Sequence, residues 1–188
     1  PEDAVAWIRL ALARLEMGET DAARAALDGA QAGEGRTPRV RVAAGRVALV
    51  TGDFEAAAEA FREVARADPG YEPAWTAQNL AYALERLGRG PEARAAYRAA
   101  LGRPAPERRA RMYLNAARNE TALGEAAAAH DLLAEGRRVF PSDPWLADAH
   151  GWALTVLGDA RAATEAFARA RDLALAAHPA PPPVEVGL

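Results

Sequence analysis

Five glycines recur at a near-constant interval along this chain, and no other feature restricts its fold as tightly. Gly18, Gly52, Gly88, Gly124 and Gly158 lie 34, 36, 36 and 34 residues apart. Five residues after each glycine stands an alanine: Ala23, Ala57, Ala93, Ala129 and Ala163. Nine residues after it stands a large apolar residue: Leu27, Phe61, Tyr97, Leu133 or Phe167. Twelve residues after it comes a small residue or a valine, as in Ala30, Val64, Ala100, Gly136 and Ala170. Agreement at four linked positions over five periods marks an array of one supersecondary unit.

The physics of one unit is readable. An apolar helical stretch precedes each glycine, as in "AWIRLALARLEMG", and a second follows it, as in "DFEAAAEAFREVARA". Glycine ends the first helix because it tolerates the left-handed conformation just past a helix end. Asp53 and Asp159 suit the start of the next helix, by capping and through the helix dipole. The alanine lets a partner helix cross closely, and the large residue one turn on fills the gap between helices. Pro69 and Pro141 stop the second helix. Alanine-rich composition with few aromatics agrees with closely stacked helices, since alanine is the best helix former.

These residues resemble the tetratricopeptide repeat, a 34-residue unit of two antiparallel helices. Trp7, Leu10 and Ala11 carry the first half of its signature, and Ala57, Phe61 and Pro69 the second. The resemblance implies an all-α fold, a right-handed superhelical solenoid of about five antiparallel helix pairs. The expected solenoid spans residues 1–178, with repeats near 4–37, 38–73, 74–109, 110–143 and 144–177. A proline-rich C-terminal tail, 179–188, follows. Two departures stand out: Arg41 replaces the first-helix aromatic of repeat two, and His150 stands in repeat five where a core leucine is usual. Two-residue insertions fall around "GYEP" and "RPAPE".

Catalytic chemistry finds little to use. The three histidines, His130, His150 and His178, lack the spacing that puts two metal ligands on one helical face. We read His150 as a core filler and His130 as a solvated residue of an outer helix. With no cysteine and no lysine, thiolate metal sites and phosphate loops are set aside. The lone serine, Ser142, reads as a helix cap, and Glu55/Glu59 as a solvated face. No catalytic, metal or cofactor residues are therefore expected, and the chain is read as a non-enzyme.

What remains is the concave face, which the family's geometry assigns to four positions of each first helix. Repeat one supplies Val5, Ile8, Leu12 and Leu15, and repeat two Arg39, Val42, Arg46 and Leu49. Repeat three supplies Trp75, Gln78, Tyr82 and Glu85. Repeats four and five supply Arg111, Leu114, Arg118 and Thr121, then Trp145, Asp148, Trp152 and Thr155. Asn79 and Asn115 occupy equivalent positions where the family often places an asparagine that holds a ligand's backbone or terminal carboxylate. The expected partner-binding groove is Arg39, Arg46, Trp75, Gln78, Asn79, Tyr82, Arg111, Asn115, Arg118 and Trp152. Arginine forks suit carboxylates, and Trp and Tyr give rigid anchor surface.

The expected function is a non-catalytic protein–protein interaction scaffold, its groove holding a peptide or partner segment with acidic or C-terminal carboxylate groups. The alternatives are a self-associating structural array, a homo-oligomer, or the regulatory or sensor region of a larger protein. A formal net charge of −3, from 26 acidic and 23 basic residues, argues against nucleic acid as partner. No run reaches the ~18–20 apolar residues of a membrane span. The start at Pro1 without methionine is read as an upstream segment removed, so localisation stays open with the cytoplasm slightly favoured. Whether the tail docks in a groove, its own or a neighbour's, is a further question the pattern raises.

Overall fold

The structure, a computed structural model, describes residues 2–35, 37–103 and 109–177. The tail 179–188, His178 and most of the "RPAPE" linker lie outside the described residues. Ten helices account for the secondary structure among those residues, with no strand. They are α1 (Glu2–Glu16), α2 (Thr20–Glu34), α3 (Pro38–Thr51), α4 (Phe54–Ala67), α5 (Pro73–Arg86) and α6 (Gly90–Leu101). Then come α7 (Ala110–Ala122), α8 (Ala126–Val139), α9 (Pro144–Val156) and α10 (Ala160–Ala177). No helix among the described residues is long and apolar enough to cross a membrane.

The array glycines separate the two helices of each pair. All five adopt positive φ, between +72° and +82°, and a Cβ on any of them would meet nothing within 4 Å. Backbone conformation, not space, demands glycine there. Asp53 Oδ1 accepts from the Ala56 amide at 3.1 Å and Asp159 Oδ1 from Ala162 at 3.0 Å, the expected caps. The cap of α9 is Asp143, whose Oδ1 accepts from Leu146 N at 2.9 Å. Ser142 lies one residue outside, a correction to its reading as the cap. The carboxylate is the better choice because its charge also opposes the helix dipole.

The chain divides into two compact units, Pro1–Arg108 and Arg109–Leu188. In the first, α1 packs on α2, α3 on α4 and α5 on α6, and α2·α3 and α4·α5 contacts join successive pairs. Ile8, Ala11, Leu15, Leu27, Val40 and Val47 share one core cluster there, with Leu12 packed against it. Phe61 is fully buried beside Ala57, Ala58 and Ala83. In the second unit α7 pairs with α8 and α9 with α10, while α9 also packs on α8 and α7.

A second class of glycine lies inside helices. A Cβ on Gly45 would stand 2.7 Å from the Phe61 ring, and one on Gly151 2.7 Å from the Phe167 ring. Both glycines sit seven residues before an array glycine and face the aromatic nine residues after it. Where the later residue is Leu27, Tyr97 or Leu133, the earlier one is Ala11, Ala81 or Ala117. Phe and Gly thus occur together in the pairs α3/α4 and α9/α10, and Leu and Ala in α1/α2 and α7/α8, at nearly the same summed volume, while α5/α6 holds the larger Tyr97 with Ala81.

Arg41, in place of the family's aromatic, is half-buried with its Nε 2.9 Å from Glu63 Oε2, off the line of a hydrogen bond. An ion pair here stands where repeats one and four put the rings of Trp7 and Tyr113.

Candidate functional site

In the first unit, Arg39 is exposed near the start of α3 and Arg46 lies half-buried two turns on. Trp75 packs edge-to-face on Phe61, centroids 5.7 Å apart, so much of its ring serves the join between α4 and α5. Asn79 Nδ2 donates to the Trp75 carbonyl at 2.8 Å, which ties one amide hydrogen to its own helix. Tyr82 OH accepts from Arg86 Nη1 at 3.2 Å, and Gln78 is half-buried between these neighbours in sequence. Two hollows of this unit, of about 270 and 180 Å³, have other walls: one includes Arg41, Glu59 and Glu63, the other Tyr71 and Leu80. Ile8, Leu15 and Val42, read as concave-face residues, are buried instead. The first-helix stripe that faces the next helix pair is wider than four positions per repeat allow.

The second unit holds a better-formed site. A cavity of about 450 Å³ opens between α7, α8 and α9. Leu114, Arg118 and Thr121 come from α7, and Asp148, Trp152 and Val156 from α9, while Leu133 of α8 lies at its floor. The spacing of 114, 118 and 121 puts one face of α7 opposite the matching face of α9. Small residues on all three helices, among them Ala117, Ala129 and Ala149, leave the space unfilled. The walls are mainly apolar, with one cation and one anion among them. Of the expected groove residues, Arg118 and Trp152 line this cavity. Arg111, exposed, and Asn115, half-buried, lie on α7 outside its lining.

Trp152 stays 61% exposed although its ring stands edge-to-face on Phe167 at 5.5 Å. Trp145, 71% exposed, and Val156, 63% exposed, continue its stripe along α9 at spacings of seven and four residues. Large exposed apolar side chains in one row are uncommon on a surface that meets only water.

A cluster that sequence spacing did not reveal joins α8 to α9. Arg137 Nη1 donates to His150 Nδ1 at 2.6 Å, so Nδ1 carries no proton. The proton then resides on His150 Nε2, 3.1 Å from His130 Nδ1, which accepts it. The two rings stack with centroids 4.7 Å apart. Burial above all, then the Arg137 charge and then His130, holds the His150 pKa down at about 4. His150 is thus a buried, neutral core residue, as expected. His130 is half-buried against it, which corrects its reading as a solvated residue. The two histidines are 20 residues apart, and only the docking of α8 on α9 brings them together. Among the described residues no group of three or more His, Cys, Asp or Glu side chains could hold a metal ion.

Residues 8–72 match the family model described as tetratricopeptide repeat. No curated protein matches the chain. Among solved structures it is similar to PilF of Pseudomonas aeruginosa, with 19% identity over 91% of this chain and 76% of that one, at a TM-score of 0.78. It is similar to MamA of Desulfovibrio magneticus, with 16% identity over 94% and 97% of the two chains and a TM-score of 0.78. YrrB, described as a TPR protein with an unusual peptide-binding site, is 20% identical over 92% of this chain and 87% of its own, with a TM-score of 0.69. Identities this low speak to the fold alone, and that fold is the helical solenoid of stacked hairpins. The match of residues 8–72 to the repeat model, the array glycines in the left-handed conformation and this shared fold make the chain similar to tetratricopeptide repeat proteins, with their helical-solenoid fold.

Proposed function

We infer that this protein is a non-catalytic interaction scaffold whose second unit binds a segment of a partner protein in the cavity between α7 and α9. The observation that carries this reading is the cavity itself. Its volume, about 450 Å³, falls in the range of ligand pockets, and apolar walls with a few polar groups are the usual composition of such sites. Trp152 supplies a rigid anchor surface, and Arg118 and Asp148 orient an incoming segment by charge. A preference for acidic partners is supported by Arg39, Arg46 and Arg111, which have no ion-pair partner among the described residues. The peptide-binding site described for YrrB agrees with this use of the fold.

Selection of a binding peptide from a displayed random library, followed by calorimetric titration, tests the reading. Ala149→Leu, which fills the cavity without removing a core contact, is expected to weaken the selected peptide about tenfold or more, and Trp152→Ala about as much. Unchanged affinity in both variants would move binding away from this cavity.

Self-association is a second reading, favoured by the exposed Trp145, Leu157 and Leu175 of the last helix pair. Sedimentation across a hundredfold range of concentration decides it: a constant monomer mass removes this reading.

A further inference from the structure

The last helix pair sets where the eleven residues after α10 begin. Trp152 meets Phe167, so in this antiparallel pair Pro144, eight residues before Trp152, is level with Leu175, eight after Phe167. The described chain therefore leaves α10 at Ala177 beside the first turn of α9. From Pro144 to Val156 the helix rises roughly 18 Å. Eleven extended residues reach roughly 36 Å, enough to run along α9 and turn into the cavity.

The chemistry of the segment matches the path. "HPAPPP" favours the polyproline II helix, which docks on exposed aromatic surfaces at little conformational cost. Trp145 and Trp152 present such surfaces about 10.5 Å apart along α9. One polyproline turn advances about 9.3 Å, so prolines a turn apart, such as Pro179 and Pro182, match that spacing. Beyond the prolines, "VEVGL" alternates: Val184, Val186 and Leu188 fall on one side of an extended chain and Glu185 on the other. The apolar side fits the mainly apolar cavity walls.

We propose that residues 178–188 are a built-in occupant of this cavity: the prolines lie on Trp145 and Trp152, and Val184 and Val186 enter between α7 and α9 of the same chain. The proposal rests on the reading of the cavity as a peptide site and adds a competitor to it. An outside partner then binds by displacing the segment, and its apparent affinity is set by that competition.

The absence of cysteine from the chain gives a clean test. Val186→Cys is combined with Ala149→Cys at the cavity, or with Arg169→Cys on the exposed face of α10 as control, in the full chain at low micromolar concentration. The expected result is an intramolecular disulfide forming at least about tenfold faster with Ala149→Cys than with the control, as effective concentration requires. Equal rates overturn the proposal, and so does a disulfide that forms mainly between two chains. In parallel, the peptide selected above is titrated into the full chain carrying Val184→Asp, Val186→Asp and Leu188→Asp. Tighter binding than to the unaltered chain, by about tenfold, is expected. Equal binding overturns the competing segment while leaving the cavity reading intact. The cavity reading fails separately, if Ala149→Leu leaves that peptide's affinity unchanged.

Discussion

Replacing Gly45 by alanine isolates what the close approach of α3 and α4 is worth. In an exposed helix interior the change would stabilise by about 1 kcal/mol, because alanine is the better helix former. Here the added Cβ would lie 2.7 Å from Phe61 Cζ and 2.9 Å from two further ring atoms. Phe61 is fully buried, so its ring has no free space to move into. Overpacking of this kind costs about 1–3 kcal/mol. Subtracting the propensity gain leaves a destabilisation of about 0–2 kcal/mol. Adding Phe61→Leu recreates the Ala/Leu combination found at Ala11/Leu27 and Ala117/Leu133. The double variant is expected to be more stable than the sum of its single changes by about 1 kcal/mol or more, a coupling that a double-mutant cycle measures. Urea unfolding followed by far-UV circular dichroism supplies the four free energies. A Gly45→Ala variant about 1 kcal/mol more stable than the parent, with no coupling to position 61, would refute the volume argument.

Three further outcomes follow from the same structure. The pKa of His150 is lowered in the fold from 6.5 to about 4, so the unfolded chain binds a proton that the folded chain does not. Its contribution is complete above pH 6.5 and is lost as pH falls from there towards 4. The full shift corresponds to about 3 kcal/mol, reduced to about 1–2 kcal/mol by solvent on the half-buried His130 side. His150→Leu should flatten this part of the stability–pH curve, measured as urea midpoints at pH 7 and 4.5; an unchanged difference would contradict the assignment. Asp53→Ala removes the acceptor for Ala56 N and should cost about 1 kcal/mol, whereas Asp53→Asn should cost less, by thermal denaturation. Gly151→Ala should behave as Gly45→Ala does, because its Cβ would meet the Phe167 ring at the same 2.7 Å, and the same unfolding assay compares them.

Much of the candidate site was out of reach of sequence reasoning, for a physical reason. A cavity is set by the volumes of side chains on three helices, and the sequence carries no mark that Ala117, Ala129 and Ala149 converge. Helical spacing does place Leu114, Arg118 and Thr121 on one face of α7, and Asp148 and Trp152 on one face of α9. It does not tell which of these face a void and which pack: Trp75 and Trp145 hold like positions in their repeats, yet one is half-buried and the other 71% exposed.

The sequence by itself determined the period, the helix ends and the small-to-large pattern of each pair. These are local: a glycine at positive φ, an aspartate three residues before the amide it caps, and alanine and phenylalanine one turn apart. Tertiary structure decided the rest. It buried Ile8, Leu15 and Val42, set Gly45 and Gly151 beneath phenylalanine rings, and joined Arg137, His150 and His130. It also left the α7–α9 cavity open. Each of these depends on residues far apart in the chain meeting at distances of a few ångströms, and helix packing alone fixes those distances.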